Sequence, residues 1–95
     1  MKHEPKSIGA ALQTALKQME AYDNFLKLWV VQNWKKVMVK PLSEICRPIK
    51  FENETLIIEA KSEAWANELQ KYKKEMIDIL NRKFDQLNVK DIKIE

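Results

Sequence analysis

The stretch Thr55-Leu-Ile-Ile-Glu-Ala-Lys-Ser-Glu-Ala-Trp-Ala-Asn-Glu-Leu69 contains the change of period that decides the fold. Its first six residues alternate between the two faces of an extended chain, which predicts a β-strand. Ser62 is then a favourable N-cap, and from Trp65 onward apolar residues recur every three to four positions. The sequence therefore predicts a strand that turns directly into a long amphipathic helix, over residues 63–84.

Two further strands are expected around this unit. Residues 48–52 also alternate, and Asn53 separates them from the strand at 55–60. Asn tolerates a positive φ, so a tight hairpin turn is possible here without glycine. The apolar residues within 89–94 predict a short third strand at the end of the chain.

The first half of the chain is predicted to be helical. Ser7 is a candidate N-cap for a helix with a single apolar stripe: Ile8, Ala11, Leu12, Ala15, Leu16 and Met19. A break at 22–24 would start a second helix over 24–38, and the alternative is one long bent helix through Tyr22. Pro41 stops whatever helix precedes it, and residues 42–46 are compatible with a helical turn.

The resulting order is α-α-β-β-α-β. A strand-helix-strand crossover is right-handed and places the last strand in the sheet of the hairpin. The expected fold class is therefore α+β, a small three-stranded sheet with helices packed on it. The 95 residues support a single domain over 7–95, preceded by a flexible tail over 1–6.

The composition excludes most catalytic chemistry. One Gly, one Cys and one His among 95 residues leave no Walker-A loop, no Rossmann fingerprint, no Cys/His zinc site and no Ser-His-Asp triad. We expect no catalytic residue, metal, cofactor or small-molecule substrate. With no targeting or membrane segment and a single Cys, we expect a cytoplasmic protein.

The charge is uneven along the chain. Residues 1–50 carry nine Lys or Arg and four acids, whereas residues 51–95 carry eight and ten, for a net charge of +3. The basic residues near the helix-to-strand junction form a candidate nucleic-acid-binding patch: Lys27, Lys35, Lys36, Lys40, Arg47 and Lys50. The alternative interpretation is an ordinary solvated surface.

Two stretches together resemble the bacterial DciA family. The first runs from Trp34 to Pro48 and the second from Thr55 to Leu69. The matching positions are Trp34, Pro48, Leu56, Ile58, Ser62, Ala64, Trp65, Ala66 and Leu69. Three positions depart, since the family usually has Gly where this chain has Val39 and Glu54, and often His where it has Ile45.

The resemblance implies a KH-like domain that binds the hexameric DnaB-type replicative helicase and helps to load it on DNA. A KH domain grips nucleic acid with a GxxG loop, which this sequence lacks. Any contact with DNA, single-stranded or non-specific, would then be electrostatic. The alternative function is a stand-alone KH-like module that binds RNA or single-stranded DNA.

Aromatic residues and the cysteine are interpreted mainly as core. We expect Trp34 and Trp65 to pack inside rather than to stack on bases, and Trp29 to be the exposed aromatic. Tyr72 is expected to pack, and Cys46 to be a small buried hydrophobe.

Overall fold

A three-stranded sheet with helices before, between and beside its strands forms the fold, and the predicted α+β class is confirmed. The computed structural model describes residues 5–95, with the side chains of 14, 15 and 18–95. The elements are α1 Pro5–Gln32, α2 Trp34–Val37, α3 Leu42–Ile45, β1 Cys46–Glu52, β2 Thr55–Ala60, α4 Glu63–Leu69, a 3₁₀ turn Gln70–Tyr72, α5 Lys73–Lys83 and β3 Asp91–Ile94.

The sheet has the order β1-β2-β3, with β2 in the centre. β1 pairs with β2 antiparallel, and β3 pairs with β2 in parallel after the helical crossover, as predicted. The β1 register shifts between Pro48 and Lys50. Proline is tolerated there because β1 is an edge strand, and its outer edge has no neighbouring strand that would need a ladder hydrogen bond.

The hairpin turn is built without glycine, as the sequence predicts. Asn53 has φ 55°, in the left-handed region that Asn tolerates. The Lys27 ammonium donates to the Asn53 carbonyl oxygen at 3.0 Å and pairs with Asp23 at 3.1 Å. Helix α1 therefore holds the turn through one lysine.

Helix α1 is continuous through residue 24, so the predicted break is wrong and the alternative of one long helix is correct. Asp23 does not cap a new helix, because its carboxylate pairs with Lys27 one turn later on the same helix. The helix ends at Gln32, and the side-chain amide of the next residue, Asn33, donates to the Trp29 carbonyl oxygen at 2.9 Å.

The start of α1 also differs from the prediction. The helix begins at Pro5, a residue favoured in a first turn, so Ser7 lies inside it instead of capping it. Residues 1–4 of the predicted tail lie outside the described residues. Of the predicted stripe, Ala15 and Met19 are exposed, while the side chains of its other members lie outside the described ones.

The predicted long third helix is interrupted by the 3₁₀ turn at Gln70–Tyr72. No glycine or proline between 63 and 84 marks this position in the sequence. The predicted cap is confirmed, because the Ser62 hydroxyl accepts from the Trp65 backbone N–H at 3.2 Å.

The core lies between the sheet and the helices. Its completely buried members come from the end of α1 and from β2, α4, α5 and β3: Val30, Leu56, Ile58, Leu69, Met76, Leu80 and Ile92. Strand β2 is buried on both faces, since Ile57 is also only 3% exposed. Both faces of this central strand are therefore covered.

The molecule is elongated, 62 Å by 20 Å by 19 Å. Its radius of gyration of 17.4 Å exceeds the roughly 12 Å expected of a compact chain this long. Leu26 is the first described α1 side chain that is buried, so the earlier turns extend beyond the body. Within the described residues, no helix combines the length and apolar character needed to cross a membrane.

Replacing Ser62 with Ala should lower the free energy of unfolding by about 1 kcal/mol, because the first turn of α4 loses its cap. Urea unfolding followed by circular dichroism measures the change. Ser62→Asp is the control, since it restores an oxygen acceptor and should retain most of the stability. Equal losses in both variants would show that the cap is not the cause.

Candidate functional site

An open groove of about 740 Å³ lies between the α2–α3 loop and helix α4, and we call it the tryptophan groove. The loop contributes Val39 and Pro41, which follow the end of α2, and α4 contributes Trp65. The full lining is Val39, Lys40, Pro41, Leu42, Ile45, Ala64, Trp65, Glu68, Tyr72 and Glu75. Apolar side chains from two separate elements thus line one concave surface.

Trp65 is 41% exposed, so the prediction that it packs in the core is wrong. The buried positions of this helical segment begin one turn later, at Leu69. Helical side chains lean toward the N-terminus, so the Trp65 ring covers the turn before its own Cα. There it meets the groove instead of the sheet.

The rim of the tryptophan groove is mainly acidic. Glu68 and Glu75 line it, with Lys40 as its cation. Lys71 pairs with Glu68 at 3.3 Å, but this pair is exposed and therefore weak. An apolar floor with carboxylates at the rim suits a partner segment that carries apolar and basic side chains together.

Of the other two tryptophans, one lies where it was predicted and one does not. Trp34 is 6% exposed, which confirms its place in the core. Trp29 is half-buried, so the prediction of an exposed aromatic is wrong. It packs edge-on against Phe84, with ring centroids 5.9 Å apart. Tyr72 is partly buried against the core, as predicted.

Cys46 is buried at the start of β1, as expected, and its thiol donates to the Leu42 carbonyl oxygen at 3.1 Å. Burial raises the pKa of this thiol from 9.0 to about 11, against a smaller lowering from the Trp34 indole N–H. Among the described residues, that N–H has no hydrogen-bond acceptor. The thiol is neutral at physiological pH and is a packing group.

Three members of the predicted basic patch are engaged by neighbours. Arg47 contacts Glu59 across the hairpin at 2.6 Å, and Lys50 pairs with Glu52 at 3.1 Å. Lys27 binds the hairpin turn, and its ammonium lies 6.0 Å from the centre of the Phe51 ring. Lys27 therefore has a structural role, and the charges of Arg47 and Lys50 are partly neutralised by their acidic partners.

Lys35, Lys36 and Lys40 are exposed, and we call them the lysine cluster. Among the side chains that the structure describes, none of the three makes a salt bridge. Lys35 also lines a second groove of about 480 Å³, together with two other basic residues, Arg47 and Lys61, and two acidic ones, Glu44 and Glu59. The free positive charge of the predicted patch is concentrated in this cluster.

The described part of the chain contains no group of three or more His, Cys, Asp or Glu side chains placed to hold a metal ion. The carboxylates of α4 and α5 lie on the helix surface, where Glu63, Glu75 and Asp78 are exposed. The candidate site is thus a contact surface made of an apolar groove and a nearby lysine cluster.

Comparison with protein families matches residues 7–94 to the family described as Dna[CI] antecedent, DciA. The chain belongs to the DciA family. No curated protein and no solved structure matches it. DciA membership supports a role in replicative helicase loading at the level of the family, which is a family of loaders and not of known enzymes.

The Cys46 thiol should make this DciA protein less stable as the pH rises from about 9 to 11. The unfolded chain loses the thiol proton near pH 9.0, whereas the folded chain keeps it to about 11. The unfolded state thus binds fewer protons in this window, and stability falls by at most about 2–3 kcal/mol.

Urea unfolding of the wild type and of Cys46→Ala across this window measures the effect. The variant keeps every other titrating group, so its stability should fall less steeply. Parallel pH profiles for the two proteins would contradict the prediction.

Proposed function

We propose that this chain binds the DnaB-type replicative helicase and assists its loading on DNA, without catalysing a reaction itself. The family match over residues 7–94 is the observation that carries the proposal. The exposed helix faces and the hairpin edge are available for this contact, and the tryptophan groove is the surface best suited to it.

The groove has the physical features of a binding surface. An exposed Trp lies beside Tyr72 and the apolar residues of the loop. Together they form a large apolar area, and covering it would stabilise a complex. Trp and Tyr are also the residues most often found at the energetic centre of protein interfaces. Since the acidic rim selects for basic partners, we expect the helicase segment to be apolar with flanking Lys or Arg.

The single Gly of the chain bears on the mechanism. A loader that hydrolyses ATP needs a glycine-rich phosphate loop, which this sequence does not contain. The proposed action is therefore passive, in that contact with this protein shifts the helicase toward a form that accepts DNA.

Pull-down of the helicase of the same organism tests the contact. The wild type should bind at micromolar concentration, and Trp65→Ala should weaken binding at least about tenfold, since an interface centre contributes 2 kcal/mol or more. Leu28→Ala is the matched control, because Leu28 is 56% exposed on α1, outside the groove.

Circular dichroism separates loss of contact from loss of fold. Trp65→Ala should remain folded, because its ring is 41% exposed. Failure of the wild type to bind would refute the helicase function. Equal binding by the wild type and Trp65→Ala would keep the function but exclude the groove.

A non-specific nucleic-acid contact is the second part of the proposal. It is supported by the lysine cluster, whose three charges lack carboxylate partners among the described residues. Lysine ammonium groups bind phosphates as point charges, without reading sequence. The alternative function, a stand-alone module for RNA or single-stranded DNA, relies on the same three residues.

Fluorescence anisotropy with a single-stranded oligonucleotide at several salt concentrations tests this contact. Changing Lys35, Lys36 and Lys40 together to Gln should lower affinity and reduce the log–log salt slope by about 2, at roughly 0.7 per phosphate contact. The control changes Lys73, Lys74 and Lys93 to Gln, which removes the same charge elsewhere. An equal effect in both variants would show that only net charge matters.

The two functions predict different effects when the helicase is added to the protein and the oligonucleotide. A stand-alone module binds the oligonucleotide as tightly without helicase as with it. A loader places more helicase on the strand when both proteins are present, and its own affinity for DNA is secondary.

A further inference from the structure

The end of helix α5 lies against the end of α2, and one lysine joins them. The Lys83 ammonium donates to the Val37 carbonyl oxygen at 2.6 Å. Lys36 directly precedes Val37, and Lys40 follows it by three residues. The last turn of α5, which carries Arg82 and Lys83, therefore lies beside the lysine cluster, although the two are far apart in the sequence.

A small depression of about 260 Å³ lies at this junction. It is lined by Val39, from the loop after α2, and by Ile79, Arg82 and Lys83 of α5. Val39 is 45% exposed, and it also lines the tryptophan groove. Val39 is therefore the boundary between the groove and the depression.

The groove and the depression differ in charge. Acidic side chains dominate the rim of the tryptophan groove, whereas the two charged residues that line the depression are both cations. Asp78 and Asp85 are the acidic residues nearest to Arg82 in the sequence, and both are exposed, but neither lines the depression. A polyanion is therefore attracted to the depression and not to the groove.

Arg82 is the cation of the depression that is placed to bind a ligand. Its side chain is exposed, and among the described residues it makes no salt bridge. Its Nε donates to the Asp78 carbonyl oxygen in a long contact of 3.4 Å. The planar guanidinium can bind a phosphate through two parallel N–H groups. Lys83 is held by the Val37 carbonyl, but a neutral carbonyl does not cancel its charge.

We propose that Arg82 binds a phosphate of the same single-stranded nucleic acid that the lysine cluster contacts. The backbone of the strand then runs from the cluster, across the loop after α2, to the end of α5. Val39 and Ile79 give the depression an apolar floor, on which a sugar or a base of the strand can lie. The proposal rests on the nucleic-acid contact proposed for the lysine cluster and extends it to a second element.

A nucleic-acid strand fits this surface better than an acidic protein segment does. The cations follow one another from α2 through the loop to α5, as the charges of a phosphate backbone do. The depression is much smaller than the tryptophan groove, about 260 against about 740 Å³, so it offers little apolar surface to a protein. A basic protein segment in the groove and a strand across the depression would then be neighbours that do not compete for the same charges.

Fluorescence anisotropy with a single-stranded oligonucleotide measures the contribution of Arg82. Arg82→Gln should weaken binding about fivefold at about 0.1 M salt and lower the log–log salt slope by about 0.7, since it removes one phosphate contact. Lys74→Gln is the matched control, because it removes one exposed charge of the same helix from a residue that lines neither the groove nor the depression. Arg82→Lys should restore the slope but only part of the affinity, because an ammonium cannot form the two parallel bonds.

Three results would overturn the proposal. Arg82→Gln could lose no more affinity than Lys74→Gln while the lysine-cluster variant still loses affinity; the strand then does not reach α5, and the contact with the cluster stands. A wild type that does not bind the oligonucleotide would refute the contact with the cluster as well. If Arg82→Gln bound the oligonucleotide like the wild type but captured less helicase, the depression would bind an acidic segment of the helicase instead.

Discussion

The fold depends on the burial of strand β2 from both faces and along both edges. Leu56 and Ile58 are completely buried, and Ile57 between them is almost so. A strand in this position cannot leave its backbone groups unpaired, because each would lose its bond to water without replacement. β1 supplies partners on one side through the hairpin, and β3 supplies them on the other after the helical crossover. Ser62 fixes the point at which the crossover begins.

A chain with one glycine must turn by other means, and polar side chains perform this role. Asn53 and Asn88 adopt positive φ in the two turns where glycine would be usual. The Asn81 amide exchanges two hydrogen bonds with the Val89 backbone, at 2.9 and 2.8 Å, as a neighbouring strand would. Lys83 donates to the Val37 carbonyl oxygen at 2.6 Å and ties the end of α5 to the end of α2. Lys83, like Lys27, therefore has a structural role, which reduces the number of lysines left for binding a partner.

Features encoded by local chemistry could be predicted from the sequence. The alternation of 55–60, the Ser62 cap and the Asn53 turn each depend on residues close in the chain, and all three form. Features that depend on tertiary coverage could not. The break at Asp23 was wrong because its carboxylate pairs within the helix, and the 3₁₀ turn after Leu69 has no local signal. A pattern of apolar residues shows which face of a helix is apolar, but not how far along the helix another element covers it.

That limit explains the candidate surfaces. Trp65 and Met19 both belong to regular apolar stripes, and both lie one turn or more before the point at which their helix meets the core. Trp65 is predicted to lie in the core, but both stripes continue beyond the area that the small sheet can cover. A 95-residue domain with a three-stranded sheet has too little interior for a 28-residue helix and three tryptophans. The apolar side chains that the domain leaves outside line the tryptophan groove and the exposed turns of α1.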